Sequence, residues 1–415
     1  MDAVLSSLVA AFRQHRHFVT RVGVGVLATA VGLVVVGGAI RVLQAATRQP
    51  PRATPTGAAT TDWTASLGAP ITGLAIEENR LYVASDELAV FPVTCVTDTE
   101  RCGPRWRDVV PDGPLSVPLV IDDRIFAGSA DGQLYAFAST CGTEGCTPAW
   151  IGVAGEGPVS QPVANFDLVY ATSDELYAFP VGCASDGHAC TPAWSADVAG
   201  RPADGPAALG DGLVVVASSS KRGGVSAFPA VCGADCEPTW TARFDGPATS
   251  AAIGDGFAYT VARGRLLAFP TSCAGRCEPE WRAHFTTGAA SSTGTPLAPG
   301  AVGAPVVADG RVFVGGSDGR LWVFTSTCDD ARCEPIASYD VATTPLLTPV
   351  VDGDTVLVTS VSGSVTIVDL ACETADPCLP VTVLRLGSPA LTPAVIAPDA
   401  VIAGADDGSL EAVGR

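Results

Sequence analysis

From residue 62 onward, apolar positions fall in short runs of four to six residues, separated by Asp-Gly or other Gly-containing turns. The third run of each group alternates, with Leu134 and Ala136 on one side and Tyr135 and Phe137 on the other. A period of two between tight turns predicts antiparallel strands joined by hairpins. Residues 22–40, VGVGVLATAVGLVVVGGAI, form the exception: nineteen residues without a charge. As a helix rising ~1.5 Å per residue they span close to the ~30 Å hydrocarbon core of a bilayer, so one transmembrane helix is expected there.

One octet recurs down the chain. It reads LAVFPVTC ending at Cys95, LYAFASTC at Cys141, LYAFPVGC at Cys183, VSAFPAVC at Cys232, LLAFPTSC at Cys273, LWVFTSTC at Cys328 and VTIVDLAC at Cys372, with a truncated copy, LEAVG, from Leu410. A period near 46 residues lies in the range of propeller blades. Each unit orders its runs alike: VPLVIDD from Val117, RIFAGSADG from Arg124, QLYAFAST from Gln133, a cysteine turn, then PAWIGVAG from Pro148. Four strands make a blade, and the last unit stops after three. Trp63, in DWTASLG, resembles the fourth-strand tryptophans Trp106, Trp150, Trp194, Trp240 and Trp281, yet precedes the first complete unit. Residues 62–68 are therefore expected to complete the last blade. The prediction is an all-β fold: an eight-bladed β-propeller of four-stranded antiparallel blades, closed by an N-terminal strand and preceded by one transmembrane helix.

The unit resembles the PQQ-like, or quinoprotein-type, β-propeller repeat, through SADGQLYAF at Ser129, GSDGRLWVF at Gly316 and the five later-strand tryptophans. Blades six and seven place Tyr339 and Leu384 where the tryptophan is expected. The resemblance implies the fold, and fold does not fix function. Enzymes of the quinoprotein group hold pyrroloquinoline quinone with a metal ion and often an adjacent Cys-Cys pair. Here no two cysteines are adjacent and every unit is a minimal blade.

All 14 cysteines follow residue 94 and form close pairs in the turn after the third strand: Cys95 with Cys102, Cys141 with Cys146, Cys183 with Cys190, Cys232 with Cys236, Cys273 with Cys277, Cys328 with Cys333, and Cys372 with Cys378. One local disulfide per blade is expected, each contributing roughly 2 kcal/mol by loop closure. Zinc competes for such pairs, but a structural site needs four ligands at once, and neighbouring pairs sit on different blades. An even cysteine framework belongs to an oxidising compartment.

This places the N-terminus inside and the large domain outside the cytoplasmic membrane; arginines flank both ends of 22–40 and do not set the orientation. The domains read as 1–21, a short cytoplasmic segment; 22–40, the helix; 41–61, a Pro/Thr/Ala-rich linker; and 62–415, the extracytoplasmic propeller. The chain carries 24 basic and 43 acidic side chains, and after residue 52 the balance is 18 to 42. So acidic a body repels phosphate backbones, and no nucleic-acid partner is expected.

No P-loop, G-x-S-x-G elbow or histidine cluster appears, and Asp122, Asp123, Asp131, Asp318 and Asp407 sit where turn chemistry calls for Asp. His188 and His284 read as a loop and a surface or packing residue. No catalytic residue, cofactor or metal site is assigned. Two loops break the repeat: Phe285–Gly303, and Ser218–Gly224, which carries Lys221 and Arg222. In propeller geometry both open on the face opposite the cysteine turns, and that face, with Lys221 and Arg222, is the candidate partner site. The function expected is a non-catalytic protein-binding or assembly scaffold, by analogy with outer-membrane assembly propeller subunits, whose partners are unidentified extracytoplasmic or membrane proteins. The alternatives are a small-molecule sensor and, further off, a PQQ-dependent dehydrogenase.

Overall fold

A computed structural model of the protein describes residues 61–93, 102–110, 113–141, 146–183, 189–285, 303–371 and 379–414. The chain divides into two compact units, Met1–Ala58 and Ala59–Arg415, and every described residue belongs to the second. The expected helix at 22–40 lies outside the described residues, as do residues 286–302, His188, Cys95, Cys372 and Cys378. Among the described residues no helix is long and apolar enough to cross a membrane.

Eight four-stranded antiparallel blades form, three of them extended by a fifth, parallel strand, and blades 1 to 7 run in chain order from the innermost to the outermost of their four strands. Blades 1 to 7 span residues 73–109, 119–153, 163–196, 208–245, 248–284, 306–340 and 350–385. Blade 8 takes three strands from 395–414 and its outermost from Thr61–Ser66, where Trp63 faces Ala412. The innermost strands touch one another in succession, and Gly73–Glu77 of blade 1 meets Val395–Ile396 of blade 8, so the ring closes. The strand after the linker latches beside the strand that precedes the C-terminus, as the position of Trp63 implied.

The hairpins follow from the turn residues. Asp211-Gly212, Asp255-Gly256 and Asp309-Gly310 all have positive φ at both positions, the backbone of a type I′ turn, whose twist matches that of the flanking strands. Gly132 answers a different need. A Cβ there would run into the carbonyl oxygen of Gly155, where the link to blade 3 crosses the blade 2 turn.

The core sits between blades. Leu134 and Ala136 pack with Trp150 against blade 3, whereas Tyr135 and Phe137 pack with Trp106 against blade 1. Each fourth-strand tryptophan shares a buried cluster with the octet phenylalanine of the following blade: Trp63 with Phe91, Trp106 with Phe137, Trp150 with Phe179, Trp194 with Phe228, Trp240 with Phe269, and Trp281 with Phe324. Ring centroids lie 6.5, 6.0 and 5.9 Å apart in the first, third and fifth of these pairs.

Strand register corrects the sequence reading of blades 6 and 7. Trp150 stands opposite Ala136 and Trp281 opposite Ala268; the matching pairs are Ala337 with Val323 and Val381 with Ile367. Ala337 and Val381, rather than Tyr339 and Leu384, hold the tryptophan position. Tyr339 lies two residues further along its strand, and a register shift in blade 7 sets Leu384 opposite Val365.

Candidate functional site

The interblade links and the turns between second and third strands meet on one face, the link face. There Leu115 N–H donates to Ser85 O (2.8 Å), and Val159 N–H to Ser129 O (3.0 Å). At blade 4, Ser219 N–H donates to Arg201 O (3.0 Å), Arg201 N–H to Ser220 Oγ (2.9 Å), and Ser219 Oγ–H to Pro202 O (3.0 Å). The turn carrying Lys221 and Arg222 is thereby fastened to the link carrying Arg201. All three side chains are exposed, and none belongs to the ion pairs found among the described residues. Asp245, opposite Arg222 in strand register, is held by Arg263 at 2.5 Å. Elsewhere on this face the corresponding turns carry Asp86, Asp131, Asp174, Asp318, Asp406 and Asp407, and the blade 5 turn carries Arg263, which is paired with Asp245. Reading the sequence found Lys221 and Arg222 but missed Arg201, because only the hydrogen bonds show that link and turn are one platform.

Arg201 also lines a depression of about 700 Å³ between blades 3 and 4, with Gly157, Ser160, Ser173, Asp174 and Asp204. This joins, through Val159, Ser160 and Asp204, a central cavity of about 430 Å³ whose lining includes Thr72, Ser116, Thr348 and Thr392, each one to three residues before an innermost strand. Most of its hydroxyls serve the backbone. Thr72 Oγ1 donates to Leu115 O (2.6 Å), Ser116 Oγ accepts from Gly128 N–H (2.9 Å), and Thr348 Oγ1 accepts from Ala304 N–H (2.9 Å). Thr392 Oγ1 is buried without a hydrogen-bond partner among the described residues.

The turn aspartates do what their positions suggest. Asp131 accepts from the Ser129 hydroxyl and from Gln133 N–H, and Asp318 Oδ1 accepts from Arg320 N–H (3.1 Å). Hydrogen bonds from Ser409, then Ser388, hold the Asp407 carboxyl below the usual carboxylate range. Glu87 behaves oppositely: burial raises its pKa, with Arg107 at 3.8 Å opposing the shift. His284 is exposed on the outer strand of blade 5. Among the described residues no group of three or more His, Cys, Asp or Glu side chains is placed to hold a metal.

Among the described residues five disulfides are closed, Cys141–Cys146, Cys183–Cys190, Cys232–Cys236, Cys273–Cys277 and Cys328–Cys333, with Cα separations of 5.4 to 6.0 Å. Cys102 is also disulfide-bonded. These turns do more than staple their own blades. Ala189–Cys190 pairs in parallel with the outermost strand of blade 2, Gly275–Arg276 with that of blade 4, and Arg332–Cys333 with that of blade 5. The second cysteine of each described pair is buried in the same cluster as the preceding blade's tryptophan: Cys102 with Trp63, Cys146 with Trp106, Cys190 with Trp150, Cys236 with Trp194, and Cys277 with Trp240. Cys333 does likewise with Trp281. Each blade keeps its own outer edge; the cysteine turns pair with those of blades 2, 4 and 5, and Cys102 N–H reaches that of blade 8 at Thr64 O (3.1 Å). The sequence signal was the constant Cys-x-x-x-Trp spacing, as in Cys277 to Trp281.

These features define a class: a closed eight-bladed propeller whose blades are strapped to one another by cystine turns. Residues 52–180 match a family model described as outer membrane protein assembly factor BamB. No curated protein matches the chain. Among solved structures, BamB from Moraxella catarrhalis is 15% identical, with 86% of this chain and 98% of that one covered at a TM-score of 0.58. The computationally designed Ika8 protein is 12% identical over 85% and 99% of the two chains (TM-score 0.65), and Saccharomyces cerevisiae Sqt1 8% identical over 86% and 99% (0.65). Such low identities carry the fold alone.

Proposed function

We propose that this chain is a non-catalytic, protein-binding scaffold, held at the outer side of the cytoplasmic membrane by residues 22–40 and engaging its partner through the link face. The observation that carries the reading is the basic platform of Arg201, Lys221 and Arg222, fixed by three hydrogen bonds on an otherwise acidic body. A preorganised charged surface costs little ordering entropy on association and steers encounter with a complementary partner. The family model that matches residues 52–180 is named for an assembly factor, which supports a role in holding other proteins together. Thr61, at the start of the closing strand, pairs with Val413 at the end of blade 8 opposite its second-to-third-strand turn.

The test is affinity purification of the full chain from its native membrane, comparing wild type with the double variant Lys221→Glu, Arg222→Glu. Recovery of co-purifying proteins should fall at least tenfold; equal recovery with the fold intact would remove the platform from the proposal. A second reading, small-molecule sensing, draws on the central cavity and the unpartnered Thr392 hydroxyl. It requires a ligand-dependent melting shift that Thr392→Val abolishes while partner recovery stays unchanged.

A further inference from the structure

The two most exposed large apolar side chains among the described residues are Phe166, at 92%, and Val231, at 81%. Phe166 stands in the turn between the first and second strands of blade 3, and Val231 precedes Cys232 at the cysteine turn of blade 4. Buried Tyr170 joins these turns: its hydroxyl donates to Ala230 O and accepts from Asn165 Nδ2–H (2.8 Å). Both turns open on the face opposite Arg201, Lys221 and Arg222.

Both residues break the repeat. Where Phe166 opens its turn, blades 1, 2, 4, 5 and 6 have Glu78, Asp122, Asp211, Asp255 and Asp309, all with positive φ. A large side chain resists that backbone, and Phe166 avoids it; the Asn165 Oδ1 accepts from Asp167 N–H (2.9 Å) and Leu168 N–H (2.8 Å) and holds the turn instead. Where blade 4 has Val231, the other blades have Thr94, Thr140, Gly182, Ser272, Thr327 and Ala371. The same tyrosine lock recurs between blades 5 and 6, from the Tyr259 hydroxyl to Ser326 O (2.7 Å), and there Asp255 and Thr327 take the two positions. The lock therefore needs neither apolar side chain.

Carboxylates surround the pair. Asp167 follows Phe166, Asp235 lies inside the Cys232–Cys236 turn with Glu237 just beyond, and Asp211 adjoins Gly212, whose carbonyl accepts from Ala230 N–H (2.8 Å). All four are exposed, none belongs to the ion pairs found among the described residues, and these turns hold no Lys or Arg. Such a surface repels anionic lipid headgroups and attracts basic chains, while an exposed aromatic ring supplies an anchor. We propose that Phe166 and Val231 dock a basic protein segment that offers an apolar side chain. This surface is separate from the link-face platform, and the inference does not rest on the platform's role.

The experiment uses the full chain in detergent and, as probe, a fluorescent peptide of alternating Lys and Leu, with a Glu–Leu peptide as control. Phe166→Asp with Val231→Thr copies the junction of blades 5 and 6, so the melting temperature should hold, and the change adds a negative charge. Affinity for the Lys–Leu peptide should nonetheless fall at least tenfold, and the Glu–Leu peptide should not bind. Unchanged or tighter binding would overturn the proposal, because charge alone would then hold the peptide. Asp167→Asn with Asp235→Asn keeps the apolar pair and should weaken binding about threefold; no loss there would remove the basic partner. Lys221→Glu with Arg222→Glu should leave binding no weaker, and a loss would make the two surfaces one. Phe166→benzoylphenylalanine, irradiated with the peptide in phosphatidylcholine vesicles, should cross-link to the peptide. Adducts to lipid or to a second copy instead would overturn the proposal by naming another occupant.

Discussion

Two sectors of the ring solve the same packing problem differently. At six junctions a tryptophan from one blade meets a phenylalanine from the next and lies in one cluster with that blade's second cysteine, as Trp240, Phe269 and Cys277 do. At the other two this tryptophan–phenylalanine pair is missing, although Phe313 lies in the cluster between blades 6 and 7. Ala337 packs toward Val368 between blades 6 and 7, and between blades 7 and 8 the cluster is aliphatic, built on Leu384, Leu386, Val401 and Val413. Tryptophan and phenylalanine disappear together, one from each side of the same junction. The contact between them, rather than either residue's place within its own blade, is therefore the unit the repeat preserves. Dispersion between large flat rings needs both partners, and one ring facing a valine would leave a void.

The comparison breaks most clearly at the best-packed junction. Trp281 is fully buried and touches Tyr259 within its own blade at 5.8 Å. Trp281→Ala should cost about 3–5 kcal/mol of unfolding free energy, the range for truncating a buried tryptophan, measured by denaturant titration. A loss below 1 kcal/mol would mean that the strap and strands hold the junction without the ring. Removing the strap's covalent link is expected to matter less. Cys273→Ala with Cys277→Ala should cost about 2 kcal/mol from loop closure, and should speed exchange of the amide at position 277, which donates across the junction to the Thr241 carbonyl. Unchanged exchange at that amide would make the cystine a purely local staple.

Much of this was legible before the structure, because the signals are local and repeated. Strand period, turn glycines and seven cysteine pairs gave the blades, and the stray Trp63 gave the closure. What stayed hidden was relational. Tyr339 and Leu384 are the largest apolar side chains within the fourth strands of their blades, yet register decides position, and a bulge between Val365 and Thr366 is invisible in a string of apolar residues. The straps were missed because a cysteine pair within one loop reads as a closed account of that loop. At the candidate site Lys221 and Arg222 stood out as basic residues in an acidic body, whereas Arg201 joins them only through backbone bonds across 20 residues.

Protonation separates the junctions on a finer scale. Glu87, beside the junction of blades 1 and 2, has only 11% of its side chain exposed, and its pKa is raised first by burial. A carboxyl whose folded pKa lies above its unfolded value contributes stability that is present below the unfolded pKa and lost as pH rises through the folded one. Glu87→Gln should therefore raise stability at pH 7 by less than about 1 kcal/mol and change it little near pH 4. Asp407, held low by Ser409 and Ser388, has the reverse sign: its contribution is present above the ordinary Asp pKa and fades as pH falls through its lowered one. A Glu87→Gln effect of equal size at both pH values would point to packing instead of charge.

The smallest effect is expected at the position where the two sectors differ most. Val381 stands in tryptophan register but is 45% exposed and belongs to no buried cluster, while Leu384 and Leu386 carry the contact with blade 8. Val381→Ser removes an apolar side chain that the described residues leave half in water, so the unfolding free energy should change by no more than about 0.5 kcal/mol. The change at Trp281, in the same register, is several times larger because there the next blade supplies a phenylalanine and a buried cystine sulfur around the ring. A loss of 2 kcal/mol or more at Val381 would show instead that place in the tryptophan register, and not burial, sets what the side chain contributes.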